Sequence, residues 1–254
     1  MIASIFLIAT GIAAAQTADI QTVSYRQGNN ALEGKLVIPK STKGPIPGIV
    51  LMPDWMGVTP QAVEYAKRVA DWGYAVFVAD LYGKDLQPKT AQEAGALSGG
   101  LKKDVPRLRL RANAALTALK NQAGVDTSRT AAMGFCFGGM AALELARTGA
   151  AIRGVACVHG YLNTPFTQDN RNIHGKVLVL QGAEDPYATP AQAQEFMDEM
   201  RRVGTDWQVV FFGGAVHGFT NPLSGGDPKQ GVAYDAKADR RAFALIKDFF
   251  AECL

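Results

Sequence analysis

The sequence predicts an α/β fold, a mainly parallel sheet of about eight strands with helices on both faces. Three observations predict it. Short apolar runs such as Gly48-Ile49-Val50-Leu51-Met52 and Val177-Leu178-Val179-Leu180 have the length and composition of buried strands. Longer segments with helical spacing, several with recognisable caps, alternate with them. No internal repeat or low-complexity linker divides the chain, and its 254 residues with 48% apolar content suffice for one full core.

In chain order, residues 20–25 and 31–38 are expected as two opening strands joined by a turn at Gly28-Asn29-Asn30. The strand 48–52 is stopped by Pro53. A helix over 60–72 has Thr59 as N-cap, Pro60 at its first position and Gly73 as its stop. Tyr74 to Ala79 is a strand bounded by Asp80. The polar stretch 83–103 is expected to carry no element and leads into a helix from about 104 to 121. Its basic residues, Lys102, Lys103, Arg107, Arg109 and Arg111, alternate with apolar ones and read as a solvated helix face. Thr130 to Met133 is a strand running into Gly134, and an apolar helix over 139–147 follows, closed by Gly149. Residues 152–158 and 176–181 are buried strands, 190–202 a helix, 207–212 a strand, and 234–251 a closing amphipathic helix.

Composition narrows the function. A net charge of +3 over 254 residues argues against a nucleic-acid surface or a polyanion partner. The three histidines, His159, His174 and His217, show no His-x-x-x-His spacing, and the three cysteines, Cys136, Cys157 and Cys253, no Cys-x-x-Cys pair. Neither a metal site nor a redox dithiol is expected. Residues 1–18, MIASIFLIATGIAAAQTA, have the short apolar run and small-residue end of a secretory signal, with cleavage before Gln16 or Asp19, although no Lys or Arg precedes the run. The expected product is an exported (periplasmic or secreted) single domain, 19–254, with no stable membrane association and a monomeric state; the alternatives for the apolar run are a retained anchor or a mis-assigned start, with a cytoplasmic protein if no signal functions.

The chemistry centres on Gly134-Phe135-Cys136-Phe137-Gly138-Gly139, a G-x-C-x-G turn between a strand and a helix. Turning within about one residue strains the backbone of the turning residue and exposes its side chain. Crowding demands small residues two positions to either side, which Gly134 and Gly138 supply. The helix start aims N–H groups at the sulfur. A thiol nucleophile needs a base, and the base needs an orienting acid. After the strand 177–182, Asp185 precedes Pro186 and is the candidate acid, with Glu184 as fallback and turn capping at Ala188 or Thr189 as the competing role. His217, in the glycine-rich loop Gly213-Gly214-Ala215-Val216-His217-Gly218, is the candidate base. His159 shares a strand face with Cys157, but Cys157 lies mid-strand without an exposed turn, so a core thiol beside a strand-end histidine is expected. His174 is assigned no chemistry.

With these motifs, and with Pro53-Asp54-Trp55-Met56-Gly57 and Ala79-Asp80-Leu81-Tyr82-Gly83, the chain resembles the dienelactone hydrolase family of α/β-hydrolases over nearly all of 20–254. The resemblance implies a Cys136–His217–Asp185 triad, hydrolysis of a small ester or lactone through an acyl-thioester, and no metal or cofactor. It also implies an oxyanion hole from the backbone N–H groups of Trp55 and Phe137. The family's thiol-activating glutamate is matched by Asp54, one methylene shorter. Its substrate-holding arginine after the catalytic histidine is missing from Gly218-Phe219-Thr220-Asn221-Pro222, so a clamp would come from elsewhere, with Arg107 and Arg109 as candidates. Tyr82, Phe135, Tyr161 and Phe219, with Trp55, are the expected aromatic pocket. The alternatives are a peptidase on the same fold and a non-catalytic thiol or binding protein.

Overall fold

The computed structural model describes residues 18–40 and 43–254. The expected export signal, 1–18, lies outside the described residues except for Ala18. Eight strands form one sheet: β1 (Asp19–Gln27), β2 (Asn30–Ile38), β3 (Ile46–Met52), β4 (Ala75–Val78), β5 (Val125–Phe135), β6 (Gly154–Val158), β7 (Lys176–Gly182) and β8 (Trp207–Phe212). Their spatial order is β1-β2-β4-β3-β5-β6-β7-β8. β1 and β2 pair antiparallel, as do β2 and β4, and every later pairing is parallel. The first hairpin turns through Gly28 at φ 56°, a conformation that glycine adopts without a Cβ penalty.

Among the described residues six α-helices cover the sheet: α1 (Pro60–Ala70), α2 (Ala91–Lys103), α3 (Val105–Lys120), α4 (Phe137–Arg147), α5 (Pro190–Val203) and α6 (Ala236–Cys253). The central strands are buried on both faces, which is why their sequences are continuously apolar. Their side chains still alternate. Val50, Met52, Val177 and Val179 join the core beneath α3, α4 and α5, while Ile49, Leu51, Leu178 and Leu180 join that beneath α1 and α6. Each such fully buried side chain contributes roughly 1.5–3 kcal/mol relative to exposure. Among the described residues no helix is long and apolar enough to cross a membrane.

Two expectations need correction. The stretch 83–103 contains the helix α2, capped by Thr90, whose hydroxyl accepts from the Glu93 N–H. Gly95, Gly99 and Gly100 lie within it, and glycine's low helix propensity masks the helical signal. The basic residues 102–111 do not form one solvated face. Arg109 pairs with buried Glu144 at 2.7 Å and with Asp169 at 2.6 Å, and Arg111 is buried. The reason is the break at Asp104, which ends α2 and caps α3, so these residues lie on two helices rather than one face.

The parallel strands β3, β5, β6, β7 and β8 end along one edge of the sheet. The loops leaving that edge carry Asp54 and Trp55, Cys136, His159, Asp185 and His217. A crevice outside the carboxyl ends of parallel strands is where such folds bind ligands.

Candidate active site

The turn from β5 into α4 follows from close packing. A Cβ on Gly134 would lie 2.0 Å from the Gly138 carbonyl oxygen, and one on Gly138 would lie 2.0 Å from the Met52 oxygen and 2.3 Å from that of Pro53. Only glycine lets the helix start lie against both its own strand and the end of β3. Between them Cys136 adopts φ 54° and ψ −121°, a strained conformation for a residue with a side chain, costing on the order of 1–3 kcal/mol.

The loop carrying His217 is held equally firmly. The His217 N–H donates to the Gly231 oxygen at 3.2 Å, and the Ala233 N–H donates to the His217 oxygen at 3.1 Å. The loop carrying Asp185 is tied to it by the Glu184 N–H donating to the Ala215 oxygen at 3.0 Å. A Cβ on Gly182 would meet that same oxygen at 2.4 Å, so the end of β7 can approach the histidine loop only as glycine.

These loops bring the three expected residues together. His217 Nε2 lies 3.0 Å from Cys136 Sγ, and its Nδ1 lies 2.8 Å from Asp185 Oδ2. The other carboxylate oxygen, Oδ1, accepts the N–H groups of Tyr187 at 2.8 Å and Ala188 at 3.0 Å. Turn capping and contact with the histidine, weighed as competing roles in the sequence, thus belong to different oxygens of one side chain. Glu184, the fallback acid, is exposed. Burial disfavours a charged His217, but the hydrogen bonds to Asp185 and to the Cys136 sulfur outweigh it and push the imidazole up to about 10. Cys157 is enclosed, and burial pushes its thiol up to about 12; Cys253 is likewise raised, to about 11. Neither has the partners of Cys136.

The backbone N–H groups of Trp55 and Phe137 find no acceptor among the described residues. The next peptide along, between Trp55 and Met56, is held from behind by the Tyr82 hydroxyl, which donates to the Trp55 oxygen at 2.8 Å. Asp54 does not hydrogen-bond to the sulfur. One of its oxygens accepts the Met56 N–H at 2.8 Å, and burial raises its carboxyl above the usual range.

A cleft of about 410 Å³ opens over the sulfur, bounded by Trp55, Tyr161, Tyr187 and Val232 and by Gly95, Ser98, Gly99 and Lys102 of α2. Tyr161 lines it as expected. Tyr82, Phe135 and Phe219 do not. Tyr82 is buried beneath Trp55 and stacks on Phe137 at 6.0 Å. Phe135 points to the opposite face of β5 and stacks on Tyr65 at 4.0 Å, because neighbours in a strand alternate faces. Phe219 is fully buried between Phe212 and His159. Neither Arg107 nor Arg109 reaches the cleft, since Arg107 pairs with Asp104 and Arg109 with Glu144 and Asp169. The cation that does is Lys102, its ammonium 4.0 Å from the centre of the Tyr161 ring. The α2 wall was missed because it is made of two glycines, a serine and a lysine, which carry no apolar signal.

A family model for the dienelactone hydrolase family matches residues 32–254. The chain belongs to the dienelactone hydrolase family. Among solved structures, a dienelactone hydrolase-like promiscuous phosphotriesterase from metagenomic libraries is 39% identical, with a TM-score of 0.87 over 93% of this chain and 99% of that one. An uncharacterised Caenorhabditis elegans protein is 35% identical over 149 residues, 58% of this chain and 94% of its own. A Yersinia pestis protein, for which carboxymethylenebutenolidase activity is proposed, is 25% identical over 242 residues, 91% of this chain and 87% of its own. This member of the dienelactone hydrolase family has the eight-stranded α/β-hydrolase architecture expected from its sequence.

Proposed function

We propose that this protein hydrolyses a carboxylic ester or lactone through Cys136, with His217 as base and Asp185 as its orienting acid. The observation that carries the reading is the continuous line from Cys136 Sγ through the two nitrogens of His217 to Asp185 Oδ2, at 3.0 and 2.8 Å. The substrate carbonyl enters the cleft with its oxygen toward the free N–H groups of Trp55 and Phe137. The sulfur attacks carbon as thiolate, its proton held on His217 Nε2, and the carbonyl electrons move onto the oxygen facing those N–H groups. Collapse breaks the bond to the leaving alkoxide, which takes the proton from His217, leaving an acyl-thioester. Water then gives a proton to His217 and attacks the thioester carbon. Collapse releases the acid, and the thiolate–imidazolium pair is restored. Asp185 holds the Nδ1–H and stabilises each imidazolium.

A thiolate discriminates against poor leaving groups, so enol lactones and aryl esters should be cleaved faster than alkyl esters or amides. The peptidase alternative is tested by peptide substrates in the same panel, and the phosphotriesterase activity named for the 39% identical relative adds phosphotriesters to it. The deciding experiment compares wild type with Cys136→Ala. Activity on activated esters should fall at least ~1000-fold; retained turnover would discard the mechanism. A Cys136 that alkylates no faster than Cys157 and Cys253 would instead favour the non-catalytic reading. The apolar leader is proposed to direct export, which N-terminal sequencing of the mature protein tests.

A further inference from the structure

His159 is used by none of these steps, yet its ring touches both halves of the site. The Cys136 N–H already donates to the Val158 oxygen at 3.0 Å, completing the ladder between β5 and β6. It is shared with a second acceptor, His159 Nδ1, at 3.1 Å. The opposite ring nitrogen, Nε2, lies 2.9 Å from the hydroxyl of Thr220, which lies 3.2 Å from the Tyr65 hydroxyl. Thr220 follows His217 by three residues on the same loop. An imidazole that accepts at Nδ1 carries its proton on Nε2 and donates it to Thr220, so both contacts are made by one neutral tautomer. Burial keeps the ring in that form by holding its pKa well below the ordinary histidine value.

Backbone geometry points the same way. Among the described residues the only non-glycine residues with positive φ are Cys136 at 54° and His159 at 38°, and these two strained residues are joined by the shared hydrogen bond. A residue that merely filled space would not need this conformation, since an aliphatic side chain fills a core without orienting two ring nitrogens. The ring also packs edge-on to His217 at 5.2 Å and to Phe219 at 5.1 Å, so it buttresses the base loop from below.

We propose that His159 is a positioning residue for the hydrolysis, linking the nucleophile's backbone to the base loop and thereby setting the Cys136–His217 alignment. The proposal rests on the nucleophile and base assigned above. His159 does not touch the sulfur, so its loss should act on turnover rather than on substrate binding.

The test compares His159→Ala, His159→Asn and Thr220→Val with wild type on one aryl ester, alongside iodoacetamide labelling of Cys136 read by mass spectrometry at about pH 6. His159→Ala should lower kcat about 10- to 100-fold with KM within about twofold, the scale of a modest misalignment of reacting groups. Labelling of Cys136 should slow in parallel, because an unaligned imidazole no longer holds the thiolate. In His159→Asn the carboxamide oxygen takes the place of Nδ1, so most of the loss should be recovered. Thr220→Val keeps the Cys136 contact and should show a smaller loss, with the double variant no worse than His159→Ala alone. A folded His159→Ala with wild-type kcat and labelling would overturn the proposal, as would an asparagine variant no better than alanine. Should the alanine variant not fold, wild-type turnover and labelling in Thr220→Val overturn it instead. Cys136→Ala separates the two levels: if it is inactive while His159→Ala is normal, only the positioning role fails. If it is active, the nucleophile assignment fails beneath it.

Discussion

Replacing Gly138 with alanine tests whether close backbone approach at the start of α4 builds the oxyanion hole. The added Cβ would lie 2.0 Å from the Met52 oxygen and 2.3 Å from the Pro53 oxygen. Both are backbone atoms at the end of β3, and Met52 is paired with Gly134 in the sheet, so neither can rotate away. Relieving a 2.0 Å approach to the 3.0 Å that real Cβ atoms reach requires about 1 Å of separation. That movement carries the Phe137 N–H on α4 away from the Trp55 N–H on the β3 exit loop. Loss of one oxyanion donor typically costs 100- to 1000-fold in turnover, and a misplacement of ~1 Å costs about 100-fold. Gly138→Ala should therefore lower kcat on an aryl ester about 100-fold or more, and overpacking should destabilise the fold by roughly 1–3 kcal/mol. Alkylation of Cys136 by iodoacetamide does not form an oxyanion, so its rate should fall less than about tenfold. A stopped assay of ester cleavage, thermal unfolding and labelling kinetics on the same preparation check this. A folded variant that hydrolyses within about threefold of wild type would show that the close approach does not create the hole.

Three further outcomes follow from the same geometry. Asp185→Asn places an amide where Oδ2 now accepts the Nδ1–H of His217 and should cost about 100- to 10,000-fold in kcat with little change in KM, measured by steady-state kinetics. Lys102→Met removes the cleft's lysine, which has no carboxylate partner among the described residues, and should lower the kcat/KM ratio of an anionic ester to its neutral isostere about tenfold, or ~1.4 kcal/mol. For stability against pH, burial keeps folded His159 neutral below the ordinary value of 6.5, whereas an unfolded histidine is protonated there. The unfolded state then binds one more proton, so stability falls on acidification, by up to about 2 kcal/mol between pH 6.5 and about pH 5 at ~1.36 kcal/mol per unit. Denaturant titrations across that range should show a shallower decline in His159→Asn; an identical decline would assign the acid sensitivity elsewhere.

What was legible in the sequence was what steric necessity writes into residue identity. Gly134 and Gly138 are forced by backbone contacts at 2.0 Å, so the turn around Cys136 has a readable spacing. The parallel strands are legible because burial on both faces makes them continuously apolar. The candidate acid and base, Asp185 and His217, could be brought out because each follows an apolar strand, in the chain order that the fold leads one to expect. Double burial also explains the errors. When both faces of a strand are covered, an aromatic residue does not disclose which side it occupies, so Phe135 reads like pocket lining although it lies against Tyr65 behind the sheet. Phe219, two residues from His217 in the loop after β8, turns inward onto His159, and an apolar loop residue does not disclose in the sequence whether it faces the core or the cleft.

The α2 side of the cleft was hidden because small residues rather than apolar ones form it. Gly99 of α2 has nothing within 4 Å of where a Cβ would sit, and Gly95 has only Trp55, at 3.8 Å, so these glycines leave volume above the sulfur rather than permit a turn. Their φ values are not positive, and alanine would stabilise the helix by up to roughly 1 kcal/mol at each position. The low propensity of α2 is therefore not demanded by its own backbone. It is accounted for if the space above Cys136 must stay open for a substrate. That separates the two kinds of glycine around this site: a Cβ at Gly138 would collide with backbone, whereas one at Gly99 would meet only the open cleft.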